Sequence, residues 1–459
     1  MKKFLVMILL GGLSLGVAEA QVTLSLDEAI EIALSDNPTI KVADLEIERY
    51  DYVKKQTVAS LYPKVDVSGQ YSLALVQQEM MKGFATGGKN TFNAAASISL
   101  PLFVPSVYRQ MKLNDTQMAM AVESARASKI DMIAAVRASY YNVLLAEQSM
   151  RVLQEAVKTT EDVVVNTKNL FEQGLAAEYD YITAQVQLSN LKPQVIQAQN
   201  GIDLTKRQLK MYLSIPEETD IFVKGSLDDF RDAVLFDTDY EINLEENTTM
   251  KTLELQSELL DHQEKLIQTT RMPTVAAFGQ ISLIGMEPRN LSSLMGGGGS
   301  NNAGGDASQA SITRAGGDSK SLWWQTPISA GLQISIPIFA GFSKTNQLRE
   351  VRNQRAQLEI QREYTERGLQ LQVQASVNNL LTARETMLSN ELTVQQAQKA
   401  YEIALTRYNA GAGTILELNN SQLTLTQSQL NYSQSIYDYL SAHAEYEKAL
   451  GLDHIQEAN

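Results

Sequence analysis

The sequence predicts a mainly α-helical protein with a small β part, in which long antiparallel helical hairpins stand on pairs of strands. Three observations carry that prediction. Only 10 prolines interrupt 459 residues and aromatics make up 7%, which is sparse for a string of ordinary globular domains. Four short stretches alternate strictly between apolar and polar residues, the signature of strands with two unlike faces. The chain is also written twice, each copy holding two of those strands followed by a long helical run, a glycine-containing break and a second helical run.

The N-terminus comes first in order. Lys2 and Lys3 precede an apolar run from Phe4 to Val17 that ends in Ala18-Glu19-Ala20. This pattern predicts a secretory signal peptide over residues 1–20, the alternative being an uncleaved anchor. Gln21 is not a cysteine, so no lipid is expected on the new N-terminus. No later apolar stretch reaches about 18 residues, so no transmembrane helix is expected. The product is periplasmic, outer-membrane or secreted.

The repeat fixes the remaining elements. Tyr62-Pro63-Lys64-Val65 aligns with Met272-Pro273-Thr274-Val275, and Leu100-Pro101-Leu102-Phe103 with Ile336-Pro337-Ile338-Phe339. Phe171-Glu172-Gln173-Gly174 aligns with Tyr408-Asn409-Ala410-Gly411. The extra residues of the second copy fall between Leu283 and Ser329, around the flexible Gly-rich run from Gly296 to Gly305. In the first strand Val65, Val67, Tyr71 and Leu73 face one way and Asp66, Ser68, Gln70 and Ser72 the other. The other three strands alternate alike, which suits a membrane barrel with a wet lumen; a half-exposed soluble sheet is the alternative. Four strands cannot close a barrel, which takes about eight. Membrane-spanning strands would therefore require several chains to share one barrel.

After the second strand of each half, few breakers interrupt the helical pattern. The run from Ser106 to Phe171 would reach roughly 100 Å as a helix. Return helices are expected over 178–213 and 415–450, and lead-in helices over 39–61 and 249–271. A return helix and a lead-in helix stacked end to end nearly match one long helix, so the pair could run antiparallel beside it. Tyr181, Leu188, Val195, Ile202 and Leu209, with Ala184, Leu191, Ala198, Thr205 and Tyr212, form a heptad seam. In the second return helix, Leu418, Leu425, Tyr432, Tyr439 and Tyr446 form one stripe, and Leu416, Leu423, Leu430, Tyr437 and Ala444 a second on the opposite flank. A helix that needs partners on both sides fits the wall of a helical barrel. A local bend is expected at Pro193.

Several chemistries are excluded. With no cysteine and three scattered histidines, there is no disulfide framework, thiol nucleophile or ligand cluster, so no metal or cofactor is expected. A net charge of -14 argues against nucleic acid as a partner. No nucleophile, base and acid set or phosphate loop appears, so an enzyme is the least favoured class.

Together the signal peptide, the duplicated strand pairs and the hairpins resemble the TolC-like outer-membrane efflux proteins, also called outer membrane factors. The specific motifs are Leu24-Ser25-Leu26-Asp27-Glu28-Ala29 with Asn37-Pro38, the Tyr62-Pro63 strand entry, and Arg407-Tyr408-Asn409-Ala410-Gly411 leading to Leu416-Glu417-Leu418. The resemblance implies a homotrimer whose twelve strands form an outer-membrane β-barrel and whose helices continue as a periplasmic α-barrel. It implies as partners a periplasmic adaptor (membrane fusion protein), an inner-membrane transporter of RND or ABC type, and outer-membrane lipid. On this reading the chain divides into signal peptide 1–20, N-terminal segment and first lead-in helix 21–61, strand pair 62–103, and long hairpin 104–215. A collar segment 216–247 follows, then lead-in helix 248–272, strand pair 273–339 with its long extracellular loop, hairpin 340–452 and tail 453–459.

By the same resemblance, the turns Gly174-Leu175-Ala176 and Gly411-Ala412-Gly413 correspond to the tunnel tip that an adaptor grips; plain helix C-caps are the alternative. Asp180 and Glu417 match acids that narrow the family's periplasmic end. Three copies of each would make two carboxylate rings that attract cations, or else they are solvated first-turn carboxylates favoured by the helix dipole. Asn420 stands where some members carry a second acid, and Gly413 where an Arg can lock neighbouring hairpins. Tyr408 reads either as a hydrogen-bonding latch of the gate or as a packed helix-end aromatic. Trp323 and Trp324 suit an interfacial aromatic girdle, or a packed loop. His262, His443 and His454 read as surface residues. The rivals are a structural coiled-coil envelope protein, which would not need the duplicated strands, and a periplasmic adaptor, which would flank one hairpin with compact β domains.

Overall fold

A computed structural model describes residues 22–75, 78–81, 84–86, 90–233, 243–286 and 323–452. The expected signal peptide, the Gly-rich run, His454 and the tail 453–459 lie outside the described residues, as does part of the collar segment. In chain order the first half holds β1 (Val22–Leu24), α1 (Leu26–Asp36), α2 (Pro38–Ala59), β2 (Lys64–Leu73), β3 (Gln78–Met81), β4 (Phe84–Thr86), β5 (Asn90–Phe103), α3 (Pro105–Glu172) and α4 (Glu178–Leu213). Next come β6 (Ile221–Val223), α5 (Leu227–Ala233), α6 (Thr248–Thr269), β7 (Thr274–Met286), β8 (Trp323–Gln325), β9 (Ile328–Ser335), α7 (Ser343–Asn409) and α8 (Ile415–Leu450). They form two compact units, one of Asp51–Thr116 with Glu258–Arg355, the other of the chain up to Tyr50, Gln117–Ser257 and the chain from Ala356.

The first of these units carries the sheet. Its main strands follow one another in the order β2, β5, β7 and β9, all antiparallel, with β8 pairing the far end of β7. Residues directly opposite in a ladder share a face, so the register tests the alternation read from sequence. One rung joins Val67, Ala96, Ile281 and Ile328, and the rung one residue away in β2 joins Asp66, Ser97, Gln280 and Ser329. Apolar and polar sets thus stay in phase across all four strands. Val65, Val67, Ile328, Leu332 and Ile334 are all exposed. Two details differ from the expected strand pairs. The last strand is split into β8 and β9 around Pro327, and it ends at Ser335, before Pro337; each proline lacks the ladder donor. Between β2 and β5 a small hairpin, β3–β4, is added. In the same unit α2 runs antiparallel to α3, tied by Lys54 to Asp115 at 2.7 Å and by Asn114 Nδ2 donating to Thr57 Oγ1 at 2.6 Å. In the second copy, α6 is tied to α7 by Arg352 to Glu264 at 2.9 Å.

The other unit holds the hairpins. The return helices α4 and α8 have the expected limits, and all ten positions of the α4 seam are buried or partly buried. The helix continues unbroken through Pro193. In α8 the first stripe packs inward, with Leu418, Leu425, Tyr439 and Tyr446 buried. The second stripe is partly covered at Leu430 and Tyr437 and buried at Ala444, while Leu416 and Leu423 stay 56% and 54% exposed. Within one chain, then, α8 is gripped on both flanks over only part of its length. It meets α3 through Gln422 Nε2, which donates to Thr160 Oγ1 at 2.8 Å, and α7 through Asn390 Nδ2, which donates to the Asn431 carbonyl at 3.4 Å.

The ends of the return helices are joined to the lead-in helices by a repeated device. Asn37 Nδ2 donates to the Tyr212 carbonyl at 2.7 Å while its Oδ1 accepts from the Thr39 amide at 2.8 Å. Asn247 does the same one repeat later, with the Ala449 carbonyl at 2.9 Å and the Thr249 amide at 3.0 Å. Each asparagine caps one helix and satisfies an orphan carbonyl of another, which supports the end-to-end stacking expected from helix lengths.

The described part of the collar segment 216–247 holds regular structure. Its β6 pairs in parallel with β1 from the N-terminal segment, and Phe230 of α5 stacks edge-on against Tyr140 and Tyr141. The Tyr140 hydroxyl lies 3.0 Å from the Leu24 carbonyl and 2.7 Å from that of Lys224. Composition concealed this part because three-residue strands carry too little periodicity to read. The histidines also depart from expectation. His262 and His443 side chains are only 15% and 21% exposed, each beside a glutamate four residues away in its helix.

Candidate functional site: the hairpin turns and the apolar sheet face

Both hairpin turns are built alike. Gly174 and Gly411 each take φ +71°, a left-handed conformation that only glycine adopts without strain. The Leu175 amide donates to the Leu170 carbonyl at 2.8 Å, and the Ala412 amide to the Arg407 carbonyl at 2.8 Å, one residue after the glycine. With the glycine amides bonding to Phe171 and Tyr408, this is the two-bond helix stop that satisfies the last carbonyls of α3 and α7. Leu175 is exposed at the turn. A Cβ on Gly413 would lie 3.1 Å from the Tyr408 amide nitrogen, so the second turn folds close against its own helix.

The turns differ in how their acids are held. Asp180 and Glu417 both occupy the third position of their return helices. Thr414 caps α8 by accepting from the Glu417 amide at 3.2 Å, whereas Ala177 gives α4 no side-chain cap. Arg407 donates to the Ala412 carbonyl at 3.1 Å and lies 3.7 Å from the Glu417 carboxylate. Leu170 stands at the matching place in the first turn, and Asp180 has no cation within ion-pair distance among the described residues. Sequence reading used Arg407 only as a motif letter; its reach back over the turn depends on the Gly411 stop.

Tyr408 is buried, and its hydroxyl is 3.1 Å from Thr167 Oγ1 on α3 of the other hairpin. Beside it, Asn166 Nδ2 donates to Asn409 Oδ1 at 3.1 Å. Val163, Ala184, Tyr401, Tyr408, Ile415 and Leu418 belong to one cluster drawn from all four hairpin helices. Asn420 is exposed on α8. The six turn residues and Asp180, Glu417, Asn420 and Tyr408 therefore all lie at the hairpin ends of this unit.

At the other unit, the aromatic residues gather at one end of the apolar sheet face. Trp324 is opposite Gly285, and Gly285 is opposite Phe92, which in turn faces Tyr71. The Trp324 ring covers Gly285 so closely that a Cβ there would come within 2.9 Å, and it meets Phe92 edge-on at 5.6 Å. Trp323 is opposite Met286 in the backbone register. The sequence places Tyr71 on the apolar face but does not join it to Phe92 and Trp324, since that row depends on strand register. No helix among the described residues is long and apolar enough to cross a membrane, and no group of metal-ligating side chains is found among them.

A family model described as outer membrane efflux protein matches residues 29–214 and 298–452. The chain belongs to the outer membrane efflux protein family. It is 20% identical over 458 residues to the outer membrane protein TolC of Escherichia coli (strain K12), covering 98% of this chain and 87% of TolC. The probable efflux pump outer membrane protein TtgC of Pseudomonas putida is 24% identical over 208 residues, 44% of this chain and 43% of TtgC. Among solved structures, CusC superposes with a TM-score of 0.70 at 16% identity, covering 93% of this chain and 92% of CusC. VceC of Vibrio cholerae gives 0.67 at 15%, covering 93% and 96%. The protein is thus an outer-membrane efflux channel of the TolC type, with the fold of these channels. Its relatives are described as outer-membrane efflux and channel proteins.

Proposed function

We propose that three copies of the chain form an export duct. Their twelve strands close a β-barrel through the outer membrane and their hairpins continue as a periplasmic α-barrel. The duct serves a tripartite efflux or type I secretion system, receiving substrate from an inner-membrane transporter of RND or ABC type through a periplasmic adaptor. The observation that carries this reading is the in-phase apolar face of four strands with free edges at β2 and β9. Such a face is too costly to leave in water, and too few strands are present to close it in one chain. The exposed flank of α8 at Leu416 and Leu423 supports further packing between hairpins.

The hairpin turns are then the adaptor-contacting tip, with Asp180, Glu417, Asn420 and Tyr408 at the gate, and Trp323 and Trp324 in the membrane girdle. Because Arg407 sits beside Glu417 and no cation among the described residues sits beside Asp180, the Asp180 ring carries more of the uncompensated charge. Single-channel conductance in planar bilayers tests the reading. A small cation-selective current that grows in Asp180→Ala with Glu417→Ala is expected, alongside heat-sensitive trimers in outer-membrane extracts. A wild-type current already wide and unselective would sink the gate assignment, and the absence of trimers would sink the duct.

A further inference from the structure

The edge of the sheet at which β9 passes into α7 carries a cavity of about 330 Å³ whose wall includes Arg271, Lys344, Thr345, Ile338, Phe339 and Phe342. Its chemistry is divided. Arg271 Nη2 donates to Thr345 Oγ1 at 3.2 Å, which holds the guanidinium at the rim. Neither Arg271 nor Lys344 has an ion-pair partner among the described residues, whereas Arg352 and Arg355 farther along α7 are paired with Glu264 and Asp261. Of the apolar lining, Ile338 is 93% exposed and Phe339 and Phe342 are exposed too. This apolar wall continues the exposed row of Leu332, Ile334 and Ile336 on and beyond β9.

The duplication separates what the fold needs from what this cavity adds. In the first copy the matching positions hold Leu61 and Val107-Tyr108, so a strand-to-helix junction of this kind forms without either cation. Two unpaired cations over exposed aromatic and aliphatic surface complement a ligand with an anionic head and an apolar tail. We propose that this cavity binds the phosphodiester headgroup of an anionic phospholipid, one site per chain, with its acyl chains along the apolar strand face. The proposal rests on the reading of the sheet as membrane-spanning. It adds a lipid-specific contact where the strands leave the membrane for the helices. Each cation near an anionic lipid surface contributes about five-fold in affinity.

Native mass spectrometry of the purified full chain, titrated with short-chain phosphatidylglycerol, phosphatidylcholine or inorganic phosphate, tests it. Phosphatidylglycerol is expected to stay bound while phosphatidylcholine does not. Arg271→Gln with Lys344→Gln should weaken it at least ten-fold, and Arg271→Lys with Lys344→Arg should retain it. Equal retention in the Gln variant, no preference for the anionic lipid, or binding of inorganic phosphate alone would overturn the proposal. Phe339→Cys in delipidated trimers should react with a maleimide; protection there would mean that a neighbouring copy fills the cavity, which also overturns it. Heat-sensitive trimers and channel current measured on the same samples report on the duct separately, so lipid indifference in conducting trimers refutes only the lipid site.

Discussion

Replacing Asn247 by Ala should loosen the junction between α8 and α6. The side chain is 5% exposed and makes three bonds: Nδ2 to the Ala449 carbonyl at 2.9 Å, and Oδ1 from the Thr249 and Met250 amides at 3.0 and 3.3 Å. Loss of a helix cap costs about 1 kcal/mol, and a buried carbonyl left without its donor costs about 1–3 kcal/mol. The sum is about 2–4 kcal/mol of local opening free energy, equivalent to at least about thirty-fold faster amide exchange. Hydrogen–deuterium exchange of peptides covering Glu246–Leu253 and Glu447–Leu452 reads this directly. Asn247→Ser keeps a cap acceptor but cannot span to Ala449, so it should recover only the cap's share. The matching change at Asn37, which holds the Tyr212 carbonyl, should act on its own repeat and add to the first. Exchange unchanged at both ends in Asn247→Ala would refute the argument that this residue joins the two helices.

Gly451→Ala should be more damaging than either turn glycine, because its Cβ would meet the Asn247 Cα and the Glu246 carbonyl at 2.9 Å with φ at +75°; loss of folded protein in membrane extracts checks this. Gly174→Ala and Gly411→Ala meet nothing within 4 Å, so each should cost only the left-handed strain of about 1–2 kcal/mol, seen as a lowered melting temperature. Burial pushes the Tyr140, Tyr141 and Tyr432 hydroxyls up to about 12 from 10.0. A raised pKa stabilises the fold fully below pH 10, and that contribution fades as pH rises toward 12. Alkaline unfolding followed by near-ultraviolet circular dichroism should therefore begin above pH 10, and Tyr140→Phe should remove part of that pH dependence.

Much of the architecture was legible because it depends on long periods. The limits of α4 and α8 follow from heptads bounded by Gly-containing turns, and the phase of the strands follows from alternation that a one-residue slip would invert. The Asn37 and Asn247 junctions could be anticipated only as a match of helix lengths, since a hydrogen bond between residues 175 apart leaves no local mark. The site divides in the same way. Its glycines and acids stand out in sequence, but the partners of Tyr408 and Glu417 do not, because Thr167 lies on the other hairpin and Arg407 reaches Glu417 only across the turn.

By itself the sequence determined the long helices and the four main strands, which face of each is apolar, and that the chain is a repeat. Periodicity encodes these properties locally. Only the tertiary structure decided that Arg407 folds back beside Glu417 while Asp180 has no cation beside it among the described residues, that Tyr408 joins one hairpin to the other, and that Tyr71, Phe92 and Trp324 form a single aromatic row. These arrangements arise from register and close approach between distant segments, and no spacing along one element specifies them.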